Sequence, residues 1–320
     1  MLNRVMCKGN AQRLRSYGKL AGMALFCFVA LSAFWGAVLC EGAFHLKRTH
    51  LSPDWRERAR STAAAWGAHV EDVAIESADG VILRGWYFRR GSSSGKAVIL
   101  LHGQGIDRTG MSGYVPLFLK HSYDVLTPDS RAYGESGGDI ATYGIREADD
   151  VNRWAEWLAA RQSERCVFGL GESMGAGILL QALRDNHSLF CAVAAESPFA
   201  SFREAAYDRV SQPFGGGWFV RTAIWPVIES GFLYARLQFG LNLNDASPEK
   251  TVAGSRVPVL LIHGTADDNI LPENSEHILR RGKGHVTLWR VSGACHTCVL
   301  GAVPEEFERR VTDWFAAVCH

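Results

Sequence analysis

The sequence predicts an α/β fold in which a mostly parallel sheet is covered by helices on both faces. Short, apolar, β-rich runs occur at Ala97–Leu101, Asp124–Thr127, Cys166–Leu170, Cys191–Ala195, Val259–Ile262 and Val286–Val291. Helix-length segments such as Ala148–Arg161 and Met174–Arg184 separate most of these runs. Continuous apolar strands that alternate with helices are typical of a parallel sheet buried on both faces.

The ends of this domain are predicted at residues 71 and 320. Its first element is a β-hairpin whose strands, Val73–Glu76 and Val81–Arg89, are joined by a turn at Asp79-Gly80. A Ser/Gly loop at Gly91–Gly95 follows.

One connection is far longer than a crossover requires. Residues 199–246 are rich in aromatics: Phe202, Tyr207, Phe214, Trp218, Phe219, Trp225, Phe232, Tyr234 and Phe239. An insertion at this point predicts a cap over the functional site. The alternative is a pair of surface helices that pack their aromatics on the domain itself.

Composition limits the possible partners. The 320 residues are 47% hydrophobic and 21% charged, and the net charge is +1. Nucleic-acid binding is therefore not expected, because it normally requires a basic patch. The length accommodates one large domain with an accessory segment.

That accessory segment lies at the N-terminus. Leu20–Cys40 is uncharged and would be about 30 Å long as a helix, which matches the thickness of a bilayer. Residues 1–19 are basic and are predicted to stay in the cytoplasm. We predict a retained single-pass signal-anchor at 20–40, followed by a linker or helix at 41–70. The alternatives are a cleaved signal peptide, a lipoprotein signal and a buried core helix.

The charges on the two sides of the span bear on the side of the membrane that carries the domain. Basic residues also follow the span, but a large C-terminal domain can translocate regardless of them. We expect an extracytoplasmic domain. The eight cysteines form no disulfide framework by their spacing, and the close pair Cys295 and Cys298 is compatible with a disulfide or with two thiols.

Gly171-Glu172-Ser173-Met174-Gly175 has the pattern of a nucleophile elbow. It follows the predicted strand Cys166–Leu170 and begins an apolar helix. A serine on such a sharp turn needs small neighbours two residues away on either side. Its hydroxyl is then raised above the sheet at a helix N-terminus, where developing negative charge is favoured. Ser173 is therefore the predicted nucleophile.

An oxyanion hole is predicted from two backbone amides. Leu101-His102-Gly103-Gln104-Gly105 ends an earlier strand, and Met174 follows the predicted nucleophile. We expect the N–H groups of Gln104 and Met174 to bind the oxyanion. His102 is predicted to be structural, because the base should follow the acid along the chain.

The acid is expected directly after the strand Val259–Ile262. Asp267 and Asp268 both lie beyond its carboxyl end, where open α/β sheets place their chemistry. We favour Asp267. Asp268 remains an alternative, and one of the two carboxylates would instead cap the helix that begins near Pro272.

His296 is the predicted base. It follows the last strand, Val286–Val291, and completes the order Ser…Asp…His with each member at the carboxyl end of a strand. The other late histidines fit less well, because His277 lies inside a predicted helix and His285 precedes the strand.

These motifs resemble those of the α/β-hydrolase family, in particular its esterase-like and depalmitoylase-like members. The resemblance covers residues 73–320 and is carried by L-H-G-Q-G at 101–105, D-S-R-A-Y-G-E-S at 129–136, G-E-S-M-G at 171–175, H-G-T-A-D at 263–267 and G-A-C-H at 293–296. It implies a triad of Ser173, Asp267 and His296. The stretch from Asp267 to Pro272 is one residue longer than the usual family pattern, which keeps Asp268 open.

The sequence thus predicts a serine hydrolase that cleaves esters or thioesters of small molecules through an acyl-enzyme. A peptidase or acylaminoacyl-peptidase with the same triad is one alternative. A membrane-tethered binding protein without turnover is the other. No cofactor is expected, and no metal, because Cys295 and Cys298 lack a second ligand pair at zinc spacing. The oligomeric state is not predicted.

Overall fold

The computed structural model describes residues 2–49, 51–91, 95–161, 166–184 and 189–318. Most of the predicted Ser/Gly loop at 91–95 lies outside these residues. Eight strands form one sheet: β1 Ala68–Glu76, β2 Ile82–Arg90, β3 Lys96–Leu101, β4 Asp124–Pro128, β5 Cys166–Glu172, β6 Phe190–Glu196, β7 Val259–Gly264 and β8 Val286–Val291.

The sheet has the strand order β1-β2-β4-β3-β5-β6-β7-β8. The first two strands form an antiparallel hairpin, and β2 is also antiparallel to β4. All remaining pairs are parallel. The predicted mostly parallel sheet and its N-terminal hairpin are therefore confirmed, although β1 begins five residues earlier than the predicted Val73.

Eleven α-helices accompany the sheet in the described part of the chain: α1 Leu2–Phe44, α2 Pro53–Ala65, α3 Val115–Lys120, α4 Glu147–Ala159, α5 Met174–Gln181, α6 Phe202–Ser211, α7 Trp218–Phe239, α8 Pro248–Gly254, α9 Glu273–Arg281, α10 Val299–Ala302 and α11 Pro304–Ala316. Short 3-10 helices occur at Arg108–Met111, Ala182–Arg184, Gln212–Phe214 and Leu243–Asp245.

The core of the domain surrounds the central strands. Strands β3, β4 and β7 are almost completely buried. Phe118, Phe168 and Phe315 form a stack of rings between helices α3 and α11 and strand β5. The burial of strands along their whole length explains why their sequences are continuous apolar runs rather than alternating patterns.

The chain divides into two compact units. One comprises residues 44–209 and 243–320 and contains the whole sheet. The other comprises residues 1–43 and 210–242, and thus most of α1 and all of α7. The part of α1 at Ser16–Phe44 is long and apolar enough to cross a membrane, with a mean hydropathy of 2.2.

Candidate active site

Ser173 lies on the sharp turn between β5 and α5. Its backbone has φ 50° and ψ −113°, a region that side-chain-bearing residues rarely adopt. The turn is possible because both flanking glycines lack a side chain. A Cβ at Gly171 would lie 2.6 Å from the backbone of Gly175, and one at Gly175 would lie 2.4 Å from the carbonyl oxygen of Leu101.

His296 lies between the predicted nucleophile and the predicted acid. Its Nε2 is 2.9 Å from Oγ of Ser173, and its Nδ1 is 2.8 Å from Oδ2 of Asp267. With the proton on Nδ1, the imidazole donates to the carboxylate and accepts from the serine hydroxyl. The structure thus brings together three residues that are separated by up to 123 positions in the chain.

Asp267 is buried in a cluster of donors. Its Oδ1 accepts the backbone N–H groups of Asn269 and Ile270, each at 3.0 Å. Burial raises the pKa of Asp267, but hydrogen bonds from His263, His296 and Ile270 outweigh that effect and hold its pKa well below the usual range. The carboxylate therefore stays ionised beside the imidazole.

The neighbouring Asp268 is exposed, whereas Asp267 is buried and contacts His296. The stretch from Asp267 to Pro272, which is one residue longer than the usual family pattern, forms a tight loop. The backbone N–H groups of Asn269 and Ile270 close this loop by donating to Asp267 Oδ1. Helix α9 then begins at Glu273.

His263 is a further partner of Asp267, which the sequence motifs did not predict. Its Nε2 lies 2.9 Å from the carbonyl oxygen of Ile270 and 3.2 Å from Oδ2 of Asp267, and Ser275 Oγ lies 2.6 Å from its Nδ1. A neutral ring with the proton on Nε2 satisfies all three contacts. Its place in the H-G-T-A-D motif, four residues before the acid, was the available signal.

The loop that carries His296 is restrained on both sides. A disulfide joins Cys295 to Cys298, which decides between the two states left open by the sequence. The loop also approaches β7 closely, because a Cβ at Gly264 would lie 2.2 Å from the carbonyl oxygen of Ala294. The histidine is therefore held by covalent and packing constraints as well as by its hydrogen bonds.

The two predicted oxyanion amides belong to segments that lie close to the serine. Met174 is the first residue of α5, so its N–H is among those that a helix leaves without an internal partner. Gln104 lies in the turn after β3, next to Gly103, and a Cβ at Gly103 would lie 3.6 Å from Cβ of Ser173. The loop is thus adjacent to the serine.

His102 has a structural environment, as predicted. It is completely buried, accepts the backbone N–H of Ser130 at Nε2, and contacts the carbonyl oxygen of Gly103 through Nδ1. Burial lowers its pKa, which favours the neutral ring. It therefore connects the two loops that flank the site.

A second carboxyl cluster lies behind the elbow. The hydroxyl of Tyr114 contacts Oε1 of Glu172 and lies 3.0 Å from Oε2 of Glu196. Burial is the main cause that raises the pKa of Glu172 to about 8, and it also raises the pKa of Glu196. A single phenol proton cannot satisfy two ionised carboxylates, and the raised pKa values favour the protonated form of one carboxyl group in this cluster.

Glu196 also connects this cluster to the histidine loop. Its Oε1 accepts the backbone N–H of Val299 at 2.9 Å, three residues after His296. Glu196 and Tyr114 carry no signal in the sequence, because only tertiary packing brings them together. Within the described residues, no group of three or more His, Cys, Asp or Glu side chains is arranged to hold a metal ion.

The amino-acid sequence of this chain also matches a known protein family. The sequence profile described as "Alpha/beta hydrolase family" matches residues 98–310. The chain belongs to this family. The resemblance and the fold class predicted from the sequence are therefore confirmed.

Two relatives and one solved structure indicate the breadth of this similarity. The uncharacterized protein YqkD of Bacillus subtilis is 29% identical over 227 residues, which cover 69% of this chain and 71% of YqkD. The lysophosphatidylserine lipase ABHD12 of Macaca fascicularis is 28% identical over 201 residues, which cover 58% of this chain but only 45% of ABHD12.

Among solved structures, the esterase Pf2001 of Pyrococcus furiosus has a TM-score of 0.67 and 26% identity. The alignment covers 86% of this chain and 99% of the esterase. Together with the family, the esterase and the lipase support a hydrolase activity for this protein.

Proposed function

We propose that this protein is a serine hydrolase that cleaves carboxylic ester or thioester bonds through an acyl-enzyme on Ser173. The observation that carries the proposal is the continuous contact from Ser173 Oγ through His296 to Asp267, at 2.9 Å and 2.8 Å. A serine hydroxyl becomes a nucleophile when an adjacent imidazole can accept its proton and a carboxylate fixes the tautomer of that imidazole.

The reaction would proceed in two halves. Ser173 Oγ attacks the carbonyl carbon while His296 Nε2 takes the hydroxyl proton, and the N–H groups of Gln104 and Met174 stabilise the oxyanion. The imidazolium, stabilised by Asp267, returns the proton to the departing alcohol or thiol. Water then repeats the attack on the acyl-enzyme with His296 as base, and the acid product leaves.

Fluorophosphonate labelling of the full-length protein tests this proposal, because such probes react only with an activated serine. Ser173→Ala should abolish both labelling and ester hydrolysis while the melting temperature stays close to that of the wild type. Labelling that survives the substitution would assign the nucleophile to another serine. A wild-type protein that takes up no probe would favour the non-catalytic binding protein.

The substrate class follows from the aromatic insertion and is the finer part of the proposal. We propose that residues 199–246 act as a cap and that uncharged esters with short-to-medium acyl chains are preferred over peptides. Each methylene buried in an apolar pocket contributes about 0.8 kcal/mol. Within the insertion, Tyr207 and Phe232 are buried, whereas Phe214, Trp218, Phe219 and Trp225 are exposed.

The measurement is kcat/KM across p-nitrophenyl esters from about two to sixteen carbons, compared with aminoacyl-nitroanilides. The preference predicts a rise with chain length to a maximum, and slower cleavage of the anilides. Faster cleavage of the anilides would instead favour the peptidase. A flat response to length would mean that the buried aromatics line no acyl pocket.

We also propose that α1 is retained as a single-pass signal-anchor, with residues 1–19 in the cytoplasm and the hydrolase domain outside it. Burial of Ser32, Gly36 and Cys40 along one face of α1 supports retention, since a leader that is removed needs no packed face. The disulfide between Cys295 and Cys298 supports an oxidising, extracytoplasmic compartment.

Protease treatment of intact cells or spheroplasts tests this orientation. Cleavage of the hydrolase domain without lysis is the expected result. Protection of the domain until lysis would place it in the cytoplasm.

A further inference from the structure

Helix α7 has two halves with different surroundings, and Pro226 divides them. All of its buried residues lie in the C-terminal half: Ile228, Gly231, Phe232 and Ala235. No residue of Trp218–Trp225 is buried. Because proline interrupts helical hydrogen bonding and bends a helix, the two halves need not follow one axis.

The C-terminal half of α7 packs closely on α1. A Cβ at Gly36 would lie 2.6 Å from both the backbone N of Gly231 and the carbonyl oxygen of Val227. Gly36 is the middle of three small buried residues at four-residue spacing, with Ser32 and Cys40 on either side. Small residues at this spacing allow two helix backbones to approach within a membrane.

The two helices run in the same general direction where they touch. Gly36 of α1 contacts Gly231 of α7, and five residues later Glu41 accepts a hydrogen bond of 2.5 Å from the hydroxyl of Tyr234. Gly36 lies close to the C-terminal end of the proposed span at 20–40. Trp218, at the start of α7, precedes Gly231 by about 20 Å of helix.

The side chains on this N-terminal half suit a bilayer. Phe214, Trp218, Phe219 and Trp225 are 70%, 71%, 81% and 57% exposed. The stretch from Gln212 to Ile228 contains one charged residue, Arg221. An exposed apolar patch of this kind marks an interaction site, and tryptophan with arginine is typical of the membrane–water interface.

We propose that Trp218–Trp225, together with the preceding turn at Gln212–Gly217, inserts into the lipid bilayer beside α1 as a second membrane-contacting element. The exposed aromatic surface of Trp218–Trp225 thus contacts lipid. Helix α7 is packed on the helix proposed to span the membrane, and both helices expose large apolar side chains. The inference depends on the proposed signal-anchor.

The test uses the full-length protein in phosphatidylcholine vesicles. An environment-sensitive fluorescent amino acid replaces one residue at a time: Phe219 in α7, Phe26 on the exposed face of α1, or Trp66 at the end of α2. Position 26 reports on the anchor alone. Trp66 is the matched control, an exposed aromatic of the hydrolase domain. Quenching by brominated lipid is then measured at each position.

Quenching at 219 and 26, with little at 66, is the expected result. Quenching at 26 without quenching at 219 would overturn the proposal and leave the anchor intact, with the patch covered by protein instead. Absence of quenching at both positions would overturn the proposal together with the anchor. Equal quenching at 66 and 219 would also overturn it, because the contact would not be specific to α7.

The role of α1 is tested with two glycine variants carrying the reporter at 219. Gly36→Leu forces the helices apart, whereas Gly22→Leu is the control because a Cβ at Gly22 meets no atom within 4 Å. Quenching should fall at least several-fold in Gly36→Leu only. Unchanged quenching in Gly36→Leu would overturn the part of the proposal in which packing on α1 holds α7 in the bilayer. Fluorophosphonate labelling of the same vesicles reports separately on the hydrolase.

Discussion

Asp267 and Glu172 are both buried carboxyl groups near the same serine, yet their pKa values move in opposite directions. Asp267 accepts two backbone N–H groups and contacts two histidines, and its pKa is held well below the usual range. Glu172 has a phenol as partner and another buried carboxyl group nearby, and its pKa rises to about 8.

The difference teaches that burial alone does not decide the charge of a carboxyl group. Desolvation is the largest influence on both residues and raises both pKa values. What separates them is the number of donors aimed at each group, because hydrogen bonds to the ionised form favour it. One carboxyl can therefore stabilise an imidazolium, while the other serves as a neutral brace.

The largest expected effect comes from removing the charge at the ionised site. Asp267→Asn should lower kcat by on the order of 10⁴, because an amide no longer enforces the required imidazole tautomer. Asp268→Asn is the matched control and should have little effect, since Asp268 is exposed whereas Asp267 is the carboxylate hydrogen-bonded to His296. Steady-state kinetics with a p-nitrophenyl ester measure both; the reverse order would make Asp268 the acid.

A smaller effect is expected where the neutral cluster meets the histidine loop. Glu196→Ala removes the acceptor for the Val299 N–H and should let the His296 loop shift. Because a displacement of about 1 Å at a catalytic group costs about 100-fold, kcat should fall by about that factor. Glu196→Gln keeps an acceptor and should retain most of the activity. Suppose that Glu196→Gln lowers kcat as much as Glu196→Ala does, while the two variants have the same melting temperature. Glu196 would then act through its charge and not by positioning the loop.

The smallest effect concerns stability and pH. The pKa of Glu172 is about 8 in the folded chain and about 4.3 when unfolded. The folded chain therefore keeps a proton that the unfolded chain loses, and stability falls as pH rises through that window. Glu172→Gln cannot ionise, so its melting temperature should decline less and exceed that of the wild type by a few degrees at pH 9.

Melting curves between pH 5 and 9 provide the measurement. Glu156→Gln is the control, because Glu156 is exposed on α4. Identical pH profiles for the wild type and Glu172→Gln would mean that Glu172 is already ionised in the folded protein.

Much of the fold was predictable because its signals are local. Each predicted apolar run from Ala97–Leu101 to Val286–Val291 corresponds to a strand. Strands β3, β4 and β7 are apolar along their length because they are buried on both faces. The elbow was recognisable from two glycines, because any side chain at Gly171 or Gly175 would collide with backbone. The catalytic roles of Ser173, Asp267 and His296 and the oxyanion roles of Gln104 and Met174 stay predictions.

The rest depended on contacts between distant segments. Two adjacent aspartates are equivalent in sequence, and only the loop closed by Asn269 and Ile270 turns Asp267 towards His296. Nothing in the order of residues relates Tyr114 to Glu172 and Glu196, which lie 58 and 82 positions away. The aromatic insertion was expected to face a pocket, yet four of its aromatics are exposed.

The sequence by itself thus determined the family, the parallel sheet and the candidates for each catalytic role. The pattern of apolar residues, the turn residues and the order of the motifs can all be read along the chain without knowledge of distant contacts. The tertiary structure decided which carboxylate meets the imidazole, which carboxyl group keeps its proton and which face of α1 is packed. The charge of a carboxyl group depends on how many hydrogen-bond donors approach it, and the packed face of a helix depends on which backbone lies against it. Both are fixed only when distant parts of the chain have packed together.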